Sequence, residues 1–317
     1  MWSCAIRFIF GAPLPRTLRR KSLSETTRIS GLSVAVPASL VSDTPHLREK
    51  TAKLGIIARA CSIFGVGEII LYFDDAPQTQ QGDMELCLQI LSFIEAPQYL
   101  RKRMFKLNPL LKFTGILPPL QTPHHGVPSS FDKCRVGDVR EGIVVSRRGN
   151  SVLVDVGLER TVECLAQLSP GSRVTVRLKG LQENPTGEIL DRPTIGLHPN
   201  FEIPAYWGYE VRSATSLVKL LEDGNFDLTI GTSRYGSSIV DIWSRLTLSL
   251  AAVTSCLVVF GSPRMGLREI LKHEGLVPEN VFDYFINTVP DQNVSTVRTE
   301  EAVLISLGLL NALPSLH

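Results

Sequence analysis

LVVFGSPRMGL, at residues 257–267, is the stretch of sequence that decides the fold. Its four leading apolar residues run directly into a loop that contains two glycines and a proline. A short apolar run that stops at such residues predicts a buried strand followed by a turn. Apolar segments at 226–230 and 283–287 enter similar loops at 231–236 and 288–293. The C-terminal part of the chain therefore predicts three strands of an α/β sheet.

These three loops are the candidate ligand site. In open α/β sheets, ligands bind at the carboxyl ends of the strands, where glycine permits a close approach. Gly, Pro and Ser also form ordinary strand-to-helix turns, which leaves a purely structural role open. The sequence contains no G-x-G-x-x-G after a strand, no G-x-x-x-x-G-K-[ST] and no G-x-S-x-G. A dinucleotide site, a P-loop and a triad hydrolase are therefore disfavoured.

The rest of the chain extends the α/β pattern and interrupts it once. Apolar runs at 32–36 and 68–73 flank a helical stretch at about 45–63, which predicts a βαβ unit. Further helices are expected at 84–94, 212–222 and 299–310. Between 127 and 199, short strands at 142–146, 152–156 and 173–178 are separated by turn residues. We predict a small antiparallel β-barrel of the OB type there, inserted into an α/β domain formed by 31–126 and 200–317.

Composition limits the partners. The 317 residues suffice for about two domains, and a formal net charge of +2 neither requires nor excludes RNA. The six cysteines stand singly, without the spacing of zinc ligands, so we expect reduced thiols and no metal. The longest apolar run, 246–260, is shorter than the roughly 18–20 residues of a membrane span, and we expect none.

Seven motifs resemble one known family, and together they extend over nearly all of 33–311. They are SVAVP (33–37), IARACSIF (57–64), PQYLRK (97–102), TPHH (122–125), YWGYEVR (206–212), DLTIGTS (227–233) and VRTEEA (297–302). The family is that of RNA methyltransferases of the SPOUT class. The resemblance implies a C-terminal trefoil knot, S-adenosylmethionine as cofactor, RNA as substrate and a homodimer.

The resemblance places the cofactor between the loops at 231–236, 260–267 and 286–298. Leu267, Val289 and Pro290 can line an apolar slot for adenine. Relatives commonly have Pro-Asn-Gln-Gly or Pro-Gly-Gln-Gly at 290–293, so Asn293 replaces a glycine, and Asp291 brings a carboxylate close to the pocket. Asn tolerates a positive φ better than other side chains, so the turn can survive. The expected cofactor residues are Gly231, Thr232, Gly236, Gly261, Gly266, Leu267, Asn287, Val289, Pro290, Gln292 and Thr296.

Two residues before and within the last helix are catalytic candidates. Arg298 precedes the helix, where a cation opposes the helix dipole, so a phosphate or a methionine carboxylate is its expected partner. Glu301 is the candidate general base. A surface ion pair for Arg298 and helix capping for Glu301 remain as alternatives.

Two basic surfaces are candidates for RNA binding. Arg101, Lys102 and Arg103 lie between aromatic residues in the segment at 99–106. Arg173 and Arg177 alternate with apolar residues on a barrel strand, which predicts a basic outer face. The alternative for each surface is a solvated face that has no role in RNA binding. His124 and His125, in a proline-rich loop, are left without an assigned function and are taken as structural by default.

Localisation and catalysis each leave one alternative. The family indicates the nucleus or nucleolus, whereas residues 1–30, basic and without an acid before Glu25, are typical of a mitochondrial transit peptide or of a disordered tail. The altered third loop keeps open a rival function, a non-catalytic RNA-binding or nuclear scaffold protein.

Overall fold

The chain opens with the βαβ unit that the sequence predicts. The computed structural model describes residues 31–190 and 206–313, so the tail or transit peptide predicted at 1–30 lies outside the described residues. Strand β1 (Gly31–Pro37) leads to helix α1 (Leu47–Ile63) and strand β2 (Glu68–Tyr72). β1 and β2 pair in parallel, with Val34 opposite Ile69. Helices α2 (Pro77–Glu95) and α3 (Gln98–Met104) follow.

A five-stranded closed barrel comes next. Its strands are β3 (Val139–Arg148), β4 (Ser151–Asp155), β5 (Val162–Leu165), β6 (Arg173–Gly180) and β7 (Thr186–Leu190). They close in the order β3-β4-β5-β7-β6, and all neighbours are antiparallel except β5 and β7. Seven buried valines line the interior, and five of them are fully buried: Val152, Val154, Val156, Val162 and Val176.

The chain then returns to the first sheet. The remaining elements are β8 (Glu210–Ala214), α4 (Leu217–Asp223), β9 (Leu228–Ser238), α5 (Ile239–Ala251), β10 (Ser255–Val259), α6 (Leu267–His273), α7 (Pro278–Val281), β11 (Tyr284–Asn287) and α8 (Thr299–Ala312). The six-stranded sheet has the order β11-β9-β10-β1-β2-β8, and every pairing is parallel. Because β8 pairs with β2, the barrel interrupts this sheet in sequence but not in space.

One predicted element is wrong. The helix expected at 212–222 is strand β8 followed by the shorter helix α4, which begins after Ser216. The Ser216 hydroxyl accepts a hydrogen bond from the Lys219 N–H at 3.1 Å, as an N-cap does. β8 is an edge strand with mostly exposed side chains, so it lacks the apolar pattern that identifies the other strands.

Helices cover both faces of the sheet, as a parallel sheet requires. Helix α8 packs on α1, and this contact contains a buried ion pair. The Lys53 ammonium lies 2.8 Å from the Asp43 carboxylate and 3.4 Å from that of Glu300. Lys53 and Glu300 are both almost fully buried, so the ion pair stabilises both charges, and Asp43 adds to the stabilisation of Lys53.

A second buried polar cluster joins the barrel to the α/β domain. The Glu95 carboxylate, at the end of α2, accepts hydrogen bonds from the Arg173 guanidinium at 2.5 and 3.0 Å. Arg173 also donates to Glu141 at 2.6 Å, and the Trp207 indole N–H donates to the same carboxylate at 2.8 Å. His124 lies 3.3 Å from Glu95. We call these five residues the junction cluster.

Candidate functional site

Three loops meet at one edge of the sheet. Strands β11, β9 and β10 are adjacent and parallel, so their carboxyl ends point to the same side. The loop within β9 and the loops after β10 and β11 are those that the sequence predicts as a ligand site. We call this edge, formed by 231–236, 260–266 and 287–298, the loop edge.

The first loop is an excursion from strand β9. Phe285 of β11 pairs with Gly231, but the next residue, Ile286, pairs with Ser237. Residues 232–236 therefore leave the ladder. A Cβ at Gly231 would lie 2.5 Å from the Phe282 ring, and one at Gly236 would lie 2.5 Å from the Ile286 backbone. Glycine is needed at both positions because β11 and the residue Phe282 before it lie in direct contact with the loop.

The second loop closes on itself. The Ser262 N–H donates to the Met265 carbonyl at 2.9 Å, and the Met265 N–H donates to the Ser262 hydroxyl at the same distance. A Cβ at Gly261 would lie 3.1 Å from the Gly266 Cα, whereas one at Gly266 would meet only the flexible Glu269 carboxylate. Gly261 is therefore the residue that the loop conformation requires.

Leu267 has a different position from the one that the sequence predicts. Its side chain is fully buried in the core beneath α6, against residues such as Val259 and Phe282, and so does not line an open slot. Val289 and Pro290 are half-buried at the start of the third loop. Only these two of the three predicted slot residues present side-chain surface.

The third loop begins with an Asx turn. The Asn287 carboxamide oxygen accepts a hydrogen bond from the Val289 N–H at 2.9 Å. The Gln292 amide donates to the Val294 carbonyl at 2.9 Å and stabilises the far side of the loop. The residue with a left-handed backbone is Asp291, at φ +60°, and not Asn293 as the substitution of a glycine suggests. Asp291 is exposed, and so is Thr296.

Hydrogen bonds tie the three loops together. The Thr232 hydroxyl donates to the Val259 carbonyl at 2.9 Å, which links the first loop to β10. The Arg234 guanidinium donates to the Ser295 carbonyl at 3.1 Å, and the Thr299 hydroxyl donates to the Gly261 carbonyl at 3.3 Å. The loop edge is therefore one connected unit, and sequence reasoning had no signal for these cross-loop bonds.

The two catalytic candidates lie at the start of α8. The Glu301 carboxylate accepts a hydrogen bond from the Arg298 backbone N–H at 2.9 Å, which is the capping arrangement offered as the alternative. Both side chains are exposed. The adjacent Glu300 turns inward to Lys53, so the two neighbouring glutamates have opposite environments.

The basic residues of α3 divide into two groups. The Arg101 guanidinium donates to the carbonyls of Ala96 at 3.0 Å and Ile94 at 3.1 Å and lies over the Phe93 ring. Burial lowers the pKa of Arg101. Lys102 and Arg103 are exposed, and Arg103 pairs with Asp155 of the barrel at 2.9 Å. Arg101 therefore caps the end of α2, which leaves Lys102 and Arg103 on the surface.

The basic barrel face predicted at Arg173 and Arg177 is not exposed. Arg173 belongs to the junction cluster, where burial alone would lower its pKa but the Glu95 and Glu141 carboxylates raise it instead. Arg177 is 7% exposed and pairs with Glu188 at 3.6 Å. The strand alternates as predicted, but Arg173 on its polar face binds Glu95 of the α/β domain and Arg177 pairs within the barrel.

His124 and His125 both contact the end of α2. Both Nε2 atoms bond the Glu95 carbonyl, at 3.0 and 2.7 Å. Burial, and then the neighbouring His124, lower the pKa of His125 to about 4. In residues 31–190 and 206–313, no group of three His, Cys, Asp or Glu side chains is arranged to hold a metal ion. Within the same residues, no helix is both long enough and apolar enough to cross a membrane.

Comparison with known proteins identifies the family. Residues 31–310 match the model of the family described as "Putative RNA methyltransferase". The chain belongs to this RNA methyltransferase family. Membership confirms the S-adenosylmethionine-dependent RNA methyltransferase function that the motifs predict.

Curated relatives agree with this assignment. The 28S rRNA (uridine-N(3))-methyltransferase of Homo sapiens is 36% identical over 301 residues, which cover 88% of this chain and 77% of the relative. The Mus musculus protein of the same name is 35% identical over 302 residues, 88% of this chain and 75% of the relative. Among solved structures, the SpoU methyltransferase AviRb from Streptomyces viridochromogenes aligns with 94% of this chain and 63% of its own, at 10% identity and a TM-score of 0.34.

Proposed function

We propose that this RNA methyltransferase acts on N3 of uridine in the RNA of the large ribosomal subunit, with its cofactor at the loop edge. The substrate follows from the names of the human and mouse relatives, which match most of this chain. The observation that carries the site is the hydrogen-bonded connection of three strand-end loops at one edge of the sheet.

The residues of the loop edge fit S-adenosylmethionine. When bound, this cofactor supplies an electrophilic methyl group on a sulfonium centre. Gly236 and Gly261 allow backbone to approach backbone, and Val289 and Pro290 present apolar surface suited to adenine. Polar contacts are assigned to the side chains of Thr232, Asn287, Gln292 and Thr296. Leu267 acts through its backbone, since its side chain is buried.

Positioning is the main contribution of the chain to the reaction. Methyl transfer needs the acceptor nitrogen in line with the methyl group, and a connected set of loops restricts the geometry in advance. Arg298 is assigned to an anionic group of the cofactor or RNA because its guanidinium is exposed at the loop edge. Glu301 caps α8, and a role as general base stays a prediction.

A trefoil knot is part of the proposal. The excursion at 232–236 opens a loop beside β11, and the backbone of Ile286 presses against Gly236. This close passage of the last strand along the first loop is the contact that a threaded chain would make. Knots are rare in proteins, so a knotted loop edge would be a specific property of the family.

We assign RNA binding to α3 and to the barrel. The strand order β3-β4-β5-β7-β6 of the closed barrel supports an OB-type fold, which binds oligonucleotides through its first hairpin loop. Arg147 and Arg148, both exposed, are the last residues of β3 and lie next to that loop. Together with Lys102 and Arg103 they replace Arg173 and Arg177 as the expected phosphate contacts.

A homodimer is proposed through α1 and α8. These helices pack on each other and leave Ile56, Ile63, Leu304 and Ile305 exposed by 37–56%. Apolar side chains grouped on two adjacent helices are typical of a self-complementary interface. Action on 28S rRNA by the relatives supports a nuclear or nucleolar location for this chain as well.

Cofactor titration followed by product analysis tests the function. We expect the purified protein to bind S-adenosylmethionine and to convert uridine to N3-methyluridine in a large-subunit rRNA transcript, detected by mass spectrometry of nucleosides. Gly261→Ala, whose Cβ meets loop backbone, should weaken cofactor binding at least tenfold. The matched control Gly82→Ala, in α2 and outside the loop edge, adds a Cβ that meets nothing within 4 Å and should leave cofactor binding unchanged. RNA binding without any cofactor binding would support the rival scaffold function.

A further inference from the structure

Tyr235 is an exposed aromatic residue at the tip of the first loop of the loop edge. Its side chain is 58% accessible, and no other aromatic side chain in residues 31–190 and 206–313 is exposed to this extent. Aromatic rings elsewhere in these residues are buried or half-buried. Exposure alone is ordinary for a single side chain, but this ring is also held in place by its neighbours.

The ring is held by Arg234, which is itself hydrogen-bonded to the third loop. The Arg234 guanidinium lies 4.7 Å from the ring centroid and donates to the Tyr235 hydroxyl at 2.6 Å. The same guanidinium donates to the Ser295 carbonyl of the third loop, and the Asn287 amide donates to the Arg234 carbonyl at 3.1 Å. A mobile surface tyrosine would have none of these restraints. These contacts restrict the ring, so ordering it on binding should cost less conformational entropy than ordering an unrestrained side chain.

The charge around Tyr235 favours an anionic partner. Each of the three loops carries one exposed arginine: Arg234, Arg264 and Arg298. Asp291 is the only carboxylate in these loops. A positive edge of this kind attracts a polyanion and disfavours a basic protein surface.

We propose that Tyr235 is a stacking platform for a nucleobase of the RNA next to the methylation target. This inference rests on the proposed function, because it assumes that chemistry takes place at the loop edge. Single-stranded RNA is bound by aromatic rings that stack on bases while arginines contact phosphates, the combination that Tyr235 and Arg234 provide. Tyr235 would thus be a positioning residue that sets which RNA segment reaches the cofactor.

The test compares Tyr235→Ala with Tyr235→Phe in the full-length protein. The probe is a single-stranded oligonucleotide of large-subunit rRNA sequence that contains uridine. Stacking on one aromatic ring contributes about 1–3 kcal/mol per base, so Tyr235→Ala should raise the Kd for RNA by about 5- to 150-fold. Tyr235→Phe keeps the ring and should stay within about threefold of the parent. The KM for RNA should rise with Tyr235→Ala while the affinity for S-adenosylmethionine is unchanged.

A second measurement detects the stacking directly. RNA with 5-iodouridine in place of uridine should crosslink to the peptide that contains Tyr235 upon irradiation, and the crosslink should disappear in Tyr235→Ala. Equal RNA affinity of Tyr235→Ala and the parent overturns the proposal. A change of sedimentation coefficient in Tyr235→Ala also overturns it, since the ring would then belong to a protein interface.

The two proposals fail differently. RNA affinity is measured without cofactor, so it does not depend on methylation. If the parent protein binds RNA through Tyr235 but neither binds S-adenosylmethionine nor methylates uridine, the proposed function fails and the platform stands. If methylation occurs and Tyr235→Ala leaves both KM and Kd unchanged, the platform fails and the function stands.

Discussion

Replacement of Glu95 tests how the barrel is attached. Burial alone would raise the pKa of Glu95, but the hydrogen bond from His124 and the charge of Arg173 lower it to about 2. Glu95→Gln keeps the shape of the side chain and removes the charge. Arg173, whose side chain is 23% exposed, would then retain Glu141 as its charged partner among the described residues.

The contacts of Glu95 determine how much stability Glu95→Gln should lose. Removing one partner of a buried ion pair lowers the free energy of unfolding by about 3–5 kcal/mol. Because Arg173 keeps its contact with Glu141, we expect the lower value, about 3 kcal/mol, for Glu95→Gln. At about 2–4 °C per kcal/mol for a large domain, the Tm should fall by roughly 6–12 °C. Calorimetry measures the fall in Tm. Amide hydrogen exchange in β6 and at residues 122–126 should be faster in Glu95→Gln than in the parent.

Arg103→Gln is the matched control. Arg103 crosses the same junction to Asp155, but its side chain is 61% exposed, so its ion pair should contribute no more than about 1 kcal/mol. A Tm of Glu95→Gln within about 1 °C of the parent would contradict this prediction, and so would an Arg103→Gln loss as large as that of Glu95→Gln.

Three further predictions follow from the same contacts. Lys53→Met should destabilise the fold by about 3 kcal/mol in urea titrations because Glu300 stays buried without its partner, and Glu300→Gln added to it should restore part of the loss. The lowered pKa of His125 keeps its side chain neutral in the folded protein, whereas the same side chain becomes protonated in the unfolded chain. His125 should therefore reduce stability as the pH falls from about 6.5 to 4. His125→Asn should make the Tm less dependent on pH in this range. Lys102→Glu with Arg103→Glu should weaken RNA binding and reduce its salt slope by up to about 0.7 per lost phosphate contact, with cofactor affinity unchanged; an unchanged slope would remove α3 from the RNA surface.

Sequence patterns located the strands that are buried on both faces. β10 and the loop after it were predicted because a parallel strand of this kind is a continuous apolar run that ends at glycine. β8 was missed because an edge strand exposes most of its side chains and so carries no such run. β5 and β7 were missed because four or five residues are too few to show a period.

The candidate site was predictable only in outline. The glycines at 231, 236 and 261 marked the loops, but no local pattern shows that Arg234 reaches Ser295, 61 positions away. Arg173 illustrates the same limit. Alternation with a period of two identifies two faces of a strand, but it cannot tell which face another part of the chain covers, and here Glu95 lies 78 positions away.

The sheet order sets a distance between the barrel, a proposed RNA-binding module, and the proposed cofactor site at the loop edge. The barrel joins the chain beside β2 and β8, at one end of the sheet, whereas the loop edge is formed at β9, β10 and β11, at the other end. From β8 to β9 there are four strand spacings of about 4.8 Å, or about 19 Å. An RNA bound to both regions must therefore extend across several nucleotides. The buried ion pairs of the junction cluster hold the barrel in one position relative to the sheet. An RNA bound to the barrel would therefore also be held at a fixed distance from the proposed cofactor site, which a loosely tethered barrel would not achieve.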